Sequence, residues 1–235
     1  MKPKRRTTAS RQPFVAGPQW SGLASARVTA VTDPEGLGRV KIELNAPGAP
    51  GGAVYEGWAR LATLMAGPKS GTWFVPDVND EVLVAFDSGD SRQPYVIGSL
   101  WNNQNPPPQS MDPGGANTVK LLRSARGMTV TLDDRVGQGK VTVQTPGGQR
   151  IALTDGPAAI QIIDANGNAV SLGATGITIN AAAKVMINAA EVDVSAGVVQ
   201  VNAGMSRFSG VLQCDTLIAK SVVSASYSPG VGNVM

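Results

Sequence analysis

The residues that could carry out chemistry in this sequence are concentrated in one acidic segment, PDVNDEVLVAFDSGD. Its carboxylates could in principle supply the paired general acid and general base that many hydrolytic reactions need. A predicted strand, Glu81–Asp87, runs through the segment, and charges that flank a strand usually form a solvated face. We therefore expect no catalytic residue among these carboxylates, which are Asp77, Asp80, Glu81, Asp87 and Asp90.

Motifs for nucleophilic catalysis, metal binding and phosphate binding are incomplete throughout the sequence. Histidine is absent, which excludes Ser-His and Cys-His pairs and zinc sites that need imidazole. The segment GPKSGT has Pro68 before Lys69, which breaks the pattern of a phosphate-binding loop. The segment DANGNA begins like a calcium loop, but Gly167 is in the fourth place and Thr175 occupies the twelfth. We predict a plain surface loop between strands at the first segment and a turn at the second, and neither an enzyme nor a cofactor or metal site.

The net charge of +3 comes from the beginning of the chain. Five of the 20 basic side chains lie in the first eleven residues, which leaves 15 basic side chains against 17 acidic ones in the rest. Residues 1–21 are therefore predicted to form a basic flexible arm. The arm lacks the apolar core of a signal peptide, so we expect a protein made in the cytoplasm. The single cysteine, Cys214, is expected to be a small buried side chain.

Five strand-like runs, separated by Gly, Pro, Asn and Asp, occupy residues 22–101. In GRVKIEL the residues Val40, Ile42 and Leu44 alternate as expected for a half-buried strand. Five short strands of this kind are typical of a small barrel such as the OB-fold, and we predict one at residues 22–105. The runs are Leu23–Thr32, Gly38–Leu44, Trp58–Met65, Glu81–Asp87 and Tyr95–Trp101.

Nucleic-acid binding is the main alternative for a barrel of this class, because such barrels often bind single strands through a basic groove with stacked aromatics. Residues 22–105 carry six basic side chains against nine acidic ones, which is the wrong sign for binding a polyanion. We instead expect the aromatic residues to lie in the barrel core or between copies of the chain. They are Trp58, Trp73, Phe74, Phe86, Tyr95 and Trp101.

A linker rich in Pro and Gly, residues 106–120, separates the barrel from a repetitive second half. Short alternating strands recur there at spacings that fall from 13 residues to seven, beginning with MTVT at Met128 and ending with VQVN at Val199. Four strand residues extend about 13 Å, so each repeat supplies one side of a triangular prism. The other two sides would come from two further copies of the chain.

We therefore predict an all-β chain in which residues 121–235 form a trimeric intertwined β-helix, the shaft of a β-prism. Its alternating apolar side chains would meet at the threefold axis and form a core that exists only in the trimer. A monomeric β-sandwich of hairpins is the alternative, but it needs turn signals such as Asn-Gly, and only DANGNAV supplies one. The predicted core residues are Ile177, Ile179, Val185, Ile187, Val192, Val194, Val199 and Val201.

The first half resembles the OB-fold domain of the phage baseplate assembly protein V and VgrG spike family. The resemblance rests on DPEGLGRVKIEL and on WARLATLMAGPKSGTWFVPDVNDEVLVAFDSGDSRQPYVIGSLWNNQNPPP, in which the order, spacing and types of the family's motifs all agree. It covers residues 22–108. The second half resembles the family's intertwined β-helix in architecture more than in sequence.

The resemblance implies a non-enzymatic, homotrimeric central spike of a contractile injection machine, which contacts a target membrane transiently as it pierces the envelope. It also implies a place beneath the tail tube in the baseplate, on a separate hub protein, with a PAAR-type tip protein at the far end. The machine stays open between a phage tail, a tailocin, an extracellular system and a type VI device. A β-helical polysaccharide-binding or polysaccharide-degrading tail protein is a third possibility. The expected hub contacts are Lys4, Arg5, Arg6 and Trp20, and the expected tip platform is Tyr227, Val231, Val234 and Met235.

Overall fold

The structure, a computed structural model, describes residues 20, 22–45 and 54–226, and in this part of the chain it is built from strands and turns with one short 3-10 segment, Asp87–Gly89. Fourteen strands are present in the described residues. The chain divides into two units, residues 1–182 and 183–235. The first unit contains a barrel and a separate antiparallel sheet.

The barrel closes in the strand order β1-β2-β3-β7-β6, which confirms the predicted all-β barrel. All neighbouring pairs are antiparallel except β3 with β7, which pair in parallel and close the sheet. A two-stranded hairpin, β4 and β5, stands between β3 and β6. The strands are β1 Leu23–Ala30, β2 Val40–Asn45, β3 Val54–Leu61, β4 Ala66–Gly67, β5 Ser70–Gly71, β6 Glu81–Phe86 and β7 Pro94–Leu100.

The third strand differs most from its prediction. It begins at Val54, four residues before the predicted start, and ends at Leu61. The reason is its partner: β2 continues to Asn45, and Val54 pairs with Asn45 at the end of that ladder. The residues after Leu61 leave the barrel and lead into the β4–β5 hairpin.

The barrel core consists of every second residue along its strands, as the two-residue period of a strand requires. On β2, Val40 and Ile42 have no exposed surface, and the same holds for Val82 and Val84 on β6. Burying each side chain of this size stabilises the fold by about 1.5–3 kcal/mol. The core therefore supports the barrel without any contribution from the second half of the chain.

The structure buries Trp20 in the barrel, whereas the sequence suggested that this residue contacts the hub. Its side chain is only 7% exposed, and its ring stacks on Phe86 at 4.7 Å between centroids and meets Tyr55 edge-on at 5.8 Å. The backbone N–H of Trp20 also donates to the carbonyl of Gly89 at 3.1 Å. Trp20 thus belongs to the barrel core and fixes the entry of the chain.

The turn between β1 and β2 is held together by the carboxylate of Asp33. It accepts hydrogen bonds from the backbone N–H groups of Glu35, Leu37 and Arg39, and it pairs with the Arg39 guanidinium at 2.8 Å. The Arg39 side chain, supported by these backbone donors, holds the pKa of Asp33 well below its usual range. This acidic residue is therefore a structural anchor of the turn.

Residues 119–180 form a seven-stranded antiparallel meander in which each strand pairs with its neighbour in sequence. This corrects the prediction that the intertwined helix starts at residue 121, because these strands fold back as hairpins within one chain. The hairpins do not depend on Asn-Gly: Gly127 (φ 88°) and Gly148 (φ 89°) supply the left-handed backbone positions in two of their turns. The strands are β8 Val119–Arg123, β9 Thr129–Asp133, β10 Lys140–Gln144, β11 Arg150–Asp155, β12 Ala158–Ile163, β13 Ala169–Gly173 and β14 Gly176–Asn180.

The described part of the second unit, residues 183–226, pairs with nothing as a strand, and its residues are all exposed. Cys214 is among them and is exposed, which corrects the expectation of a buried thiol for the single chain. None of the described residues forms a helix with the length and apolar character needed to cross a membrane.

Candidate trimer interface

One face of the seven-stranded sheet carries two unbroken rows of side chains that run across all its strands. The rows follow from the pairing register: Val143 lies opposite both Val130 and Ile151, and the same alignment continues to both edges. Thirteen of the fourteen positions are large and apolar, and we call them the apolar face. The first row is Leu122, Val130, Val143, Ile151, Ile162, Val170 and Ile179, and the second is Lys120, Leu132, Val141, Leu153, Ile160, Leu172 and Ile177.

The opposite face of the same strands is polar along its centre. The register places Thr131, Thr142, Ala152, Gln161 and Ser171 in one line. An antiparallel sheet with this division normally packs its apolar side against another layer. The described part of the chain supplies no such layer.

The apolar face is exposed in the single chain. Ile151 is 44% exposed, Ile162 is 50% exposed and Ile179 is 60% exposed. An exposed apolar patch of this continuity marks an interaction surface. The last row members, Ile177 and Ile179, are also the first two residues of the predicted shaft core, so the face and the predicted shaft are continuous along the sequence.

The remaining predicted core residues lie in the second unit and are likewise exposed. Val185 is 56% exposed and Ile187 is 71% exposed, and both stand in segments that have no strand partner within the described residues. If these segments are buried in an assembly, their backbone N–H and C=O groups will need hydrogen-bond partners, which a strand of a neighbouring copy can supply. The other members are Val192, Val194, Val199 and Val201, which are 59 to 68% exposed.

The structure uses the acidic segment of the barrel for local contacts. The carboxylate of Asp80 accepts the backbone N–H of Asp77 at 2.9 Å, and the carboxylate of Asp90 pairs with Arg92 at 2.7 Å. Glu81 accepts a hydrogen bond from the side chain of Asn102 at 2.7 Å. These contacts tie turns and strand ends together.

The first loop motif connects strands β4 and β5 and the second is a turn, as their sequences predict. Lys69 has φ 56° and sits at the tip of the β4–β5 hairpin, which precedes no helix and so cannot cradle a phosphate in the manner of a phosphate-binding loop. In DANGNA the Asp164 carboxylate accepts hydrogen bonds from the backbone N–H groups of Asn166 and Asn168, both at 2.8 Å. Among the described residues, no group of three acidic or cysteine side chains could hold a metal ion.

The Asp164 turn predicts a loss of stability in acid. Hydrogen bonds from Asn168 and Asn166 lower the pKa of Asp164 from 3.8 to about 2. Because the folded pKa is depressed, the stabilisation is complete above about pH 4 and is lost as the pH falls toward 2. Thermal unfolding at pH 7 and at pH 3 should therefore differ less in Asp164→Asn than in the natural chain. Asp134→Asn is the matched control, since among the described residues that carboxylate accepts no hydrogen bond, and an equal pH dependence in all three proteins would contradict the assignment.

The remaining predicted site residues fall outside the described part of the chain. They are Lys4, Arg5, Arg6, Tyr227, Val231, Val234 and Met235. Sequence reasoning missed the rows on strands β8 to β13, although their alternation is visible in VTVQ, IALT and IQII. The sequence does not reveal which residues of neighbouring strands lie opposite each other, and this register becomes visible only in the folded hairpins.

Comparison with known proteins gives one family match in the barrel and another in the second half of the chain. Residues 24–101 match the model of the type VI secretion system and phage-baseplate injector OB domain. Residues 140–206 match the phage baseplate V C-terminal trimerisation domain, which includes strands β10 to β14 and the first repeats of the second unit. The chain belongs to the baseplate V and VgrG-like spike family. The match to the trimerisation domain overlaps the exposed apolar face of this spike-family chain on strands β10 to β14. This overlap supports a homotrimer.

The individual proteins that are similar to this chain include type VI secretion system spike proteins. The chain is 30% identical over 146 residues to the type VI secretion system spike protein VgrG4b of Pseudomonas aeruginosa, which is 60% of this chain and 17% of that protein. It is 23% identical over 148 residues to VgrG1b of the same organism, 60% of this chain and 20% of that protein. It is 28% identical over 87 residues to VgrG3 of Vibrio cholerae, 36% of this chain and 9% of that protein. The chain thus corresponds to a fifth or less of the length of these relatives.

Proposed function

We propose that this chain is a non-enzymatic, homotrimeric central spike of a contractile injection machine, which docks on a separate hub beneath the tail tube and pierces the target envelope when the sheath contracts. The observation that carries the proposal is the exposed apolar face of residues 119–180, which lies largely within the trimerisation domain. Three such faces turned toward one axis would bury one another. The result would be a three-sided prism with a dry interior.

The prism would have the proportions of a rigid rod. Seven strands spaced about 4.8 Å apart extend over roughly 29 Å from β8 to β14. Beyond β14 the repeats continue at spacings of seven or eight residues, but their connectors AAAK and AAE contain neither Gly nor Pro, and the described residues there have no strand partner in their own chain. Each following segment would then pass to the next side of the prism, where it pairs with a neighbouring copy and continues the core through Val185 and Ile187.

The rod would resist load because its strands are paired on both sides and its core is continuous along the axis. The basic arm, with Lys4, Arg5 and Arg6, would contact the hub. The residues from Tyr227 to Met235 would support a PAAR-type tip protein. In this arrangement the chain acts by transmitting force and binds no cofactor.

Removal of the gene in its native host tests this function. We expect the deletion strain to lose the killing or infection of target cells that the machine performs, and the full chain to restore it. Ile187→Asp should fail to restore it, whereas Asn188→Asp, one position along the same segment, should succeed. Full activity of the deletion strain would contradict the proposal.

A further inference from the structure

A groove lies on the barrel between the β4–β5 hairpin and the turn that joins β1 to β2. It has a volume of about 680 Å³, and its walls include four large apolar side chains that are mostly exposed: Leu37 at 68%, Met65 at 57%, Trp73 at 76% and Phe74 at 77%. We call it the hairpin groove. Neither the barrel core nor the apolar face of the second sheet uses these side chains.

The groove is built on a constrained backbone. The hydroxyl of Thr63 donates to the carbonyl of Thr72 at 2.8 Å, and the N–H of Thr72 donates to the carbonyl of Met65 at 3.0 Å. The indole of Trp73 packs against Gly38, where an added Cβ would come within 3.2 Å of the ring. Because the hairpin is fixed in this way, little ordering remains to be done when a ligand binds.

Two cations line the groove without an acidic partner. Arg60 and Lys69 form no ion pair with a carboxylate of the described residues, whereas the neighbouring Arg39 and Arg92 are paired with Asp33 and Asp90. The Arg60 guanidinium stands over the ring of Tyr95 at 5.5 Å. A second cavity of about 410 Å³ shares Leu37 and Arg60 with the groove and extends it toward Tyr95.

We propose that the hairpin groove binds a segment of a partner protein that carries large apolar side chains flanked by carboxylates. Exposed Trp and Arg side chains in a concave site are the residue types that dominate protein interfaces, and the two unpaired cations select an acidic ligand by charge complementarity. The chain's own basic N-terminal sequence has the wrong charge for this site, and residues 46–53 include no charged side chain. This surface is separate from the trimer interface and adds a second docking site to the one proposed for the arm.

Fluorescence anisotropy with a labelled peptide tests the proposal on the full chain. The probe has Leu-Phe flanked by two Glu residues on each side, and two control peptides replace Glu with Lys or Leu-Phe with Ser-Ser. We expect the probe to bind with micromolar affinity and neither control peptide to bind measurably. Arg60→Glu and Phe74→Ser should each weaken it at least about tenfold, which corresponds to about 1.4 kcal/mol, and Lys220→Glu, at an exposed lysine of the second unit, should leave it unchanged.

Sedimentation gives the mass of the assembly formed by each variant, and circular dichroism reports whether it is folded. A loss of binding is thereby separated from a loss of assembly or folding. A trimer that does not bind the probe would overturn this proposal and leave the spike function intact. Equal binding of the Lys-containing peptide would also overturn it. Tighter binding of a twelve-nucleotide oligo(dT) would overturn it by indicating a nucleic-acid site. An altered trimer mass in Phe74→Ser would assign the groove to contacts between copies and overturn it as well.

Discussion

Replacing Ile162 with Asp is expected to abolish the trimer while the single chain keeps its fold. Ile162 lies in the middle of the apolar face and is 50% exposed in one chain, so the substitution costs the isolated sheet little. In the trimer three carboxylates would meet in a dry interior, and burying each ion costs several kcal/mol even after relaxation. Every 1.4 kcal/mol is a tenfold change in an equilibrium constant, so no trimer should remain at micromolar concentration.

Gln161→Asp is the matched control for this substitution. Gln161 is the preceding residue on β12 and lies on the polar face, opposite Ala152 and Ser171. A carboxylate there would point away from the axis, and the variant should remain trimeric. If Ile162→Asp stayed trimeric, or if both variants dissociated equally, the inward orientation of the apolar face would be wrong.

Replacing Trp20 with Ala is expected to destabilise the barrel by about 3 kcal/mol, near the lower end of the range for truncating a buried aromatic side chain. The loss arises from the packing against Phe86 and Tyr55. It should be seen in denaturant unfolding of the full chain at a fixed protein concentration, because the stability of an oligomer depends on concentration. The effect should be present with no partner protein in the sample.

Trp73→Ala serves as the comparison, since that ring is 76% exposed. Its unfolding free energy should change by less than about 1 kcal/mol. An unchanged stability in Trp20→Ala, combined with weaker binding to a hub protein, would instead favour the role that the sequence suggested for Trp20. The burial of this side chain predicts the opposite result.

The barrel could be predicted from the sequence because its strands alternate clearly and their turns carry strong signals. Val40, Ile42 and Leu44 are buried as their alternation predicted. Trp20 was assigned differently because one aromatic residue beside a basic arm carries no periodicity. Its position depends on a contact with Phe86, 66 residues away, which no local pattern shows.

The second half was harder because its repeats permit two architectures. A four-residue strand fits either a hairpin or one side of an intertwined prism, and the connector decides between them. Connectors such as TPGGQR are long enough to return, and Gly148 gives the turn its left-handed position. Length alone does not separate the two architectures, since β13 returns into β14 through only Ala174 and Thr175. Connectors such as AAE, however, contain neither Gly nor Pro, and from Ala183 onward the described chain has no strand partner of its own.

The mass of the full chain in solution tests the central claim most directly. Sedimentation equilibrium should give a single species of three times the 24.2 kDa chain mass, stable on dilution through the micromolar range. The apolar face, exposed at Ile151, Ile162 and Ile179, would then be covered by the other two copies. A stable monomer or dimer would contradict the claim that three such faces meet at one axis.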